Sequence, residues 1–130
     1  MVYLNQIKKI LTSNNTNEEL FKSLNEIAWT INYGIGFLRW ERRPFDYSSD
    51  DERFCEYMFS WHIFASRGIP FNLWSDIAEE GLALLKEMIE TGNFDYEKSP
   101  KYKEFRKHFY ECADKIRSDP QYHDRFGLGY

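Results

Sequence analysis

The segment formed by residues 54–65, FCEYMFSWHIFA, constrains the fold more than any other part of the chain. With about 100° of rotation per residue in an α-helix, its polar members Glu56 and Ser60 fall on one narrow strip, and apolar side chains occupy most of the remaining circumference. Such a helix must be surrounded by other elements, because water would otherwise cover its apolar sides. We therefore predict a central apolar helix around residues 50–66.

The other segments of the chain also have helical periodicity. Apolar residues at helical spacing predict a short N-terminal helix within residues 2–11 and longer helices that begin near Thr16, Ser75 and Ser99. No run with a strand-like pattern is long enough to form a sheet by itself. The sequence therefore predicts an all-α bundle of four main helices plus the short N-terminal helix. A length of 130 residues is typical of one domain, so we expect residues 1–130 to form a single helical domain.

Two capping boxes indicate where helices begin. Thr16 with Glu19, and Ser49 with Glu52, have the spacing in which each side chain accepts a hydrogen bond from a backbone amide at the helix start. The second box places three carboxylates in the first turn of the central helix, where the helix dipole favours negative charge.

Two glycines interrupt the pattern of the second helix. Gly34 and Gly36 are expected either to end that helix or to let two backbones approach closely. A short helical turn is predicted within residues 37–43, before the proline at position 44.

Hydropathy and cysteine usage favour a cytoplasmic protein. No apolar run approaches the roughly 18 residues that span a bilayer, and the first ten residues lack the pattern of a signal peptide. Cys55 and Cys112 are expected to be free thiols within apolar stripes, rather than a disulfide. We expect no membrane partner and no cofactor.

The distribution of charge is more informative than the net charge of −4. Residues 46–97 contain twelve acidic and three basic residues, a net charge of −9, whereas residues 98–117 have a net charge of +4. Such an acidic side affects the rate of association and the choice of partner. Aromatic residues make up 18% of the chain, more than a core of this size needs, so some rings are expected at the surface as partner anchors.

These features favour a small acidic protein that neutralises a basic protein partner by occlusion. Immunity proteins and antitoxins act on a toxin or a nuclease in this way, and we expect a one-to-one complex. The free protein is expected to be a monomer or a homodimer. The candidate partner-binding residues are Trp40, Asp46, Tyr47, Asp50, Asp51, Glu52, Glu56, Glu79 and Glu80.

A small enzyme is one alternative. His108 and Cys112 are four residues apart, so one helix would place them on the same side, within reach of one metal ion. The same pair could serve as the base and nucleophile of a thiol enzyme. Cys55 and His62 would complete a set of two cysteines and two histidines if their helices met.

A nucleic-acid adaptor is the other alternative. The basic helix predicted for residues 100–117 presents a face that suits phosphates and stacked bases. The net negative charge of the chain opposes nucleic-acid binding, and we expect the basic helix to pair with the acidic middle of the chain instead. The residues of this face are Lys103, Arg106, Lys107 and Tyr110.

Overall fold

The computed structural model describes residues 1–41 and 47–126, with the backbone alone at residues 38–39 and 125–126. Regular structure in these ranges is helical, and they contain no strand. The predicted all-α fold is therefore confirmed. The α-helices are α1 (Leu4–Leu11), α2 (Asn17–Trp40), α3 (Ser49–Phe59), α4 (His62–Ala65), α5 (Ser75–Thr91) and α6 (Pro100–Arg117). Short 3₁₀ helices occupy Phe71–Leu73, Tyr96–Lys98 and His123–Phe126.

Contacts within the chain define two compact units, residues 1–61 and residues 62–130. Unit 1 contains α1, α2 and α3, and unit 2 contains α4, α5 and α6. The organisation of residues 1–130 as a single domain stays a prediction. Within the described ranges, none of the helices combines the length and the apolar composition needed to cross a membrane.

One face of α2 supplies much of the buried apolar surface of unit 1. The helix begins as predicted, because the Thr16 hydroxyl accepts a hydrogen bond from the amide of Glu19 and the Glu19 carboxylate accepts one from the amide of Thr16. This helix packs against α1 and α3. The ring of Phe21 on α2 lies 4.6 Å from that of Trp61, measured between centroids. The buried apolar side chains of α2 are Leu20, Phe21, Leu24, Ala28, Ile31 and Ile35.

The N-terminal cap of α3 differs by one residue from the predicted box of Ser49 and Glu52. Ser48 is the N-cap: its hydroxyl accepts from the amide of Asp51, and the Asp51 carboxylate accepts from the amide of Ser48. The same carboxylate oxygen accepts from the amide of Val2 at 3.0 Å. Asp51 is 0% exposed, so its carboxylate fixes the start of α3 inside unit 1.

The predicted central helix is divided in two. The amides of Ser60 and Trp61 bond to carbonyl groups three residues earlier, which is the 3₁₀ pattern. The Ser60 hydroxyl also donates to the carbonyl of Tyr57 at 2.6 Å, a bond that competes with the regular helix ladder. The helix resumes as α4 at residue 62. The apolar character of the segment does predict its burial, because the buried side chains include Phe54, Cys55, Tyr57, Met58, Trp61 and Phe64.

Both glycines of α2 lie inside the helix, which continues to Trp40. The prediction that they end it is wrong. A Cβ at Gly34 would collide with the side chain of Tyr47, whose Cζ atom would lie 2.9 Å away, so this glycine allows the close approach of a side chain. At Gly36, none of the described residues lies within 4 Å of the place that a Cβ would take. Of the turn predicted at residues 37–43, residues 42–43 lie outside the described part of the chain.

Unit 2 is organised around α5 and α6, which pack against each other. Gly92 follows α5 in the left-handed conformation, with φ of 71°, which glycine adopts readily after a helix. Pro100 occupies the first turn of α6, after Ser99, where the sequence predicts that a helix begins. An ion pair between Lys101 and Glu87, 3.1 Å from Nζ to Oε1, joins the two helices.

Alanine at the two glycines of α2 should have opposite effects on stability. Gly36→Ala should raise the free energy of unfolding by about 0.5–1 kcal/mol, because alanine is the better helix former and the added methyl group meets open space. Gly34→Ala should lower it by about 1 kcal/mol, because the methyl group would displace the Tyr47 ring from its stack on Tyr3. Urea denaturation followed by circular dichroism measures both effects.

The control for this comparison is Tyr47→Phe, which removes the hydroxyl nearest to the added methyl group. In that background the cost of Gly34→Ala should fall. Equal effects of the two alanine substitutions would contradict the close contact at Gly34.

Candidate functional site

Aromatic side chains line the face of α2 opposite to its buried face. Residues 29, 33, 37 and 40 are spaced by four, four and three positions, so they lie on one side of the helix. Trp29 is 49% exposed, Tyr33 77%, Phe37 43% and Trp40 78%. We call these four residues the aromatic row. Contiguous exposed apolar surface of this kind is typical of a binding site, because soluble proteins rarely leave it in water.

Two carboxylates of α3 extend along the side of α2. The Cys55 thiol donates to a backbone carbonyl of α2 at 3.3 Å, and the Phe59 ring packs on Trp29 with 4.9 Å between centroids. Glu52 and Glu56 precede Phe59 by seven and three residues and therefore share its side of α3. We call Glu52 and Glu56 the acidic edge. Through the contact of Phe59 with Trp29, the acidic edge borders the aromatic row.

The surroundings of the acidic edge are negative. Burial, and after it the charge of Asp51, raises the pKa of the Cys55 thiol to about 12, and Glu52 and Glu56 contribute to this shift. The thiol is therefore neutral and adds no charge of its own. Glu56 forms an ion pair with Arg53 at 3.3 Å on the exposed surface of α3. Exposed pairs of this kind contribute little stability.

The other predicted partner-binding residues of unit 1 occupy different environments. Trp40 is the exposed last residue of α2, whereas Tyr47 is half-buried against α2. Asp50 is half-buried in the first turn of α3. Asp51 is buried and caps α3, so it is not part of the surface, and Asp46 lies outside the described residues.

Three members of the aromatic row are absent from the sequence prediction, namely Trp29, Tyr33 and Phe37. Their helical spacing is visible in the sequence. This spacing indicates an exposed face only once the opposite face of the same helix is known to be buried. If Gly34 and Gly36 ended the helix, Phe37 and Trp40 would not lie on the same helix as the earlier aromatic residues. With that expectation, the row is not recognised in the sequence.

The predicted residues Glu79 and Glu80 lie on α5 in unit 2. Glu79 is exposed, whereas the Glu80 carboxylate lies 3.0 Å from Nδ1 of His108. The other ring nitrogen of His108 lies 3.3 Å from Oε1 of Glu104. The contacts of His108 with Glu80 and of Lys101 with Glu87 agree with the expectation that the basic helix pairs with acidic residues from the middle of the chain, whereas Glu104 belongs to α6 itself.

His108 and Cys112, the residues of the enzyme alternative, have contacts with other groups. Both ring nitrogens of His108 lie near carboxylates, and the Cys112 thiol donates to the carbonyl of Leu73 at 3.5 Å. Burial raises the pKa of Cys112, which favours the protonated thiol over the nucleophilic thiolate. Across residues 1–41 and 47–126, no three His, Cys, Asp or Glu side chains are grouped to hold a metal ion. The enzyme alternative stays a prediction.

The outward face of α6 carries the basic and aromatic residues of the nucleic-acid alternative. Lys103, Arg106 and Lys107 are exposed. The guanidinium carbon of Arg106 lies 5.6 Å from the centroid of the Tyr110 ring, a cation–π contact at the surface. The predicted arrangement is therefore present on α6, and its use for nucleic acid stays a prediction.

Comparisons with known proteins add no family to these observations. No protein-family model matches the chain, and no curated protein or solved structure matches it significantly. Its function is therefore argued from an all-α fold in which unit 1 carries an exposed aromatic row bordered by an acidic edge.

The contacts of His108 predict a pH dependence of stability. The hydrogen bond to Glu80, and then the negative charges of Glu80, Glu104 and Glu111, raise the pKa of His108 above its usual value of about 6.5. A raised pKa means that the folded state favours the protonated ring. This stabilisation is therefore fully present below about pH 6.5 and is lost as the pH rises through the folded-state pKa.

Nuclear magnetic resonance titration of the His108 ring tests this prediction. Glu80→Gln should return the pKa of His108 towards its usual value, because it removes the first carboxylate partner. His123, whose ring is exposed, provides the internal reference. A His108 pKa that does not change in the Glu80→Gln variant would contradict the assigned contact.

Proposed function

We propose that the protein binds a basic protein partner in the cytoplasm and neutralises it by occlusion, as an immunity protein or antitoxin does to a toxin or a nuclease. The observation that supports this proposal is the exposed aromatic row of α2, bordered by the acidic edge of α3. The aromatic row provides anchors, and the acidic edge attracts a cationic surface.

The aromatic row has the dimensions of a protein-binding surface. From Trp29 to Trp40 it extends over eleven residue steps of α2, which corresponds to about 16 Å along the helix axis. Trp and Tyr are frequent among the residues that dominate binding energy, because their large rings lose little conformational freedom on burial. Covering the row with a partner would remove apolar surface from water, which favours association.

The acidic edge adds rate and selectivity. Carboxylates on a protein of net charge −4 attract a basic partner over distances of about one Debye length, which increases the rate of encounter. Like-charged proteins are repelled by the same field. A partner that binds nucleic acid through its basic surface would lose access to its substrate when the acidic protein covers that surface.

The proposal predicts separate kinetic effects of charge and aromatic substitutions. Glu52→Lys with Glu56→Lys should slow association with the partner about tenfold at low salt, and the difference should disappear at high salt. Tyr33→Ala with Phe37→Ala should increase the dissociation rate about tenfold or more, because these rings anchor the complex. Biosensor kinetics with the partner captured from the native host measures both rates.

Glu90→Lys with Glu111→Lys is the matched control, because it replaces two exposed glutamates and changes the net charge by the same amount. It should leave both rates within about twofold, because neither residue belongs to the aromatic row or to the acidic edge. The proposal would fail if the host proteins captured by the wild-type chain were captured equally by the Tyr33→Ala, Phe37→Ala variant.

A second candidate function is a nucleic-acid adaptor that uses the outward face of α6. The contact of Arg106 with the exposed ring of Tyr110 supports it, because arginine and aromatic side chains together bind phosphates and stack on bases. Replacing Lys103, Arg106 and Lys107 by Glu should abolish a gel shift with single-stranded oligonucleotides. An unchanged gel shift would reject this candidate.

A further inference from the structure

A depression lies at the centre of the exposed face of α2. It is shallow, and it is lined by Asn32, Tyr33, Gly36, Phe37 and Trp40. Among the residues that the structure describes, nothing lies within 4 Å of the position that a Cβ would take at Gly36, so the space above it is open on their side. Any side chain larger than hydrogen at position 36 would occupy this space.

The described part of the chain shows no contact at Gly36 that requires glycine. The residue lies inside a helix, it does not have a positive φ, and none of the described groups approaches the place of a Cβ. In these respects it differs from Gly34, which faces Tyr47, and from Gly92, which has a left-handed conformation. Glycine lowers helix stability relative to alanine. Its presence at position 36 instead leaves open a space that the side chains of most other residues would fill.

The chemistry of the depression suits a cationic side chain. Three of its five residues are aromatic, and the faces of aromatic rings attract cations. The acidic edge, Glu52 and Glu56, lies on α3, which packs against α2, and supplies negative charge that is complementary to a cation. Arginine fits best among cations, because its planar guanidinium stacks on rings while its methylene groups cover apolar surface. The same pairing already occurs on α6, where Arg106 lies over Tyr110.

We propose that the depression at Gly36 receives an arginine side chain of the basic partner. This inference rests on the proposed function and specifies which contact anchors the partner. The guanidinium stacks against the rings of Tyr33, Phe37 and Trp40, and the acidic edge attracts the basic residues that flank this arginine.

Nona-arginine peptide is the probe for this site, and the indole N–H resonances of the full chain provide the readout. Trp40 borders the depression, whereas Trp61 and Trp74 are buried and serve as internal references. We expect the Trp40 resonance to shift with saturation while those of Trp61 and Trp74 do not move. Gly36→Leu should weaken binding about tenfold, because the leucine side chain fills the depression without disturbing a neighbour.

Thr30→Leu is the matched control, because it introduces a leucine at an exposed position of α2 that does not line the depression. It should change the affinity by less than about twofold. Glu52→Gln with Glu56→Gln should weaken binding at low salt. Thermal unfolding establishes that each variant is folded.

The outcomes separate this inference from the proposed function. An absent Trp40 shift, or equal affinities of the wild-type and Gly36→Leu chains, would overturn the arginine site, even if the charge variants still slowed association with the host partner. If Gly36→Leu weakens peptide binding and Thr30→Leu does not, the arginine site stands. The arginine site would stand even if replacing Tyr33 and Phe37 by alanine did not change the binding of the host partner.

Discussion

α2 carries apolar side chains on two opposite faces, and the remaining elements of unit 1 bury only one of them. The face that contains Leu24 and Ala28 is buried where the helix packs against α1 and α3. The opposite face places the aromatic row in water. Large apolar side chains on a second, exposed face are unusual for a helix of a globular protein. The exposed aromatic face of α2 is therefore the feature that supports the proposed binding function.

Interactions on the buried side of unit 1 hold α3 in place beside α2. The Asp51 carboxylate accepts hydrogen bonds from the amides of Ser48 and Val2, so it joins the start of the chain to the start of α3. A buried carboxylate is tolerated only when such donors replace water. Tyr47, stacked on Tyr3, rests against Gly34 of α2. These contacts fix α3, and with it the acidic edge.

The sequence predicts the helical class and the burial of residues 54–65 well, because both follow from hydrophobic spacing. It predicts local details less well. The box of Thr16 and Glu19 is confirmed, but the cap of α3 shifts to Ser48, since adjacent serines offer equivalent hydroxyls and tertiary contacts of Asp51 select between them. The break at Ser60 depends on a side-chain bond that no periodicity reveals. The acidic edge follows from composition, whereas the aromatic row requires knowledge of which face of α2 is buried.

Hydroxyl-radical footprinting, read by mass spectrometry, tests the central claim most directly. In the free protein, Trp29, Tyr33 and Trp40 should be oxidised readily, whereas Trp61 and Trp74 should be protected. On addition of the partner captured from the native host, the aromatic row should become protected without a change at Trp61 or Trp74. Protection of the row in the free protein, or oxidation that does not change in the complex, would contradict the claim that this face of α2 is the binding surface.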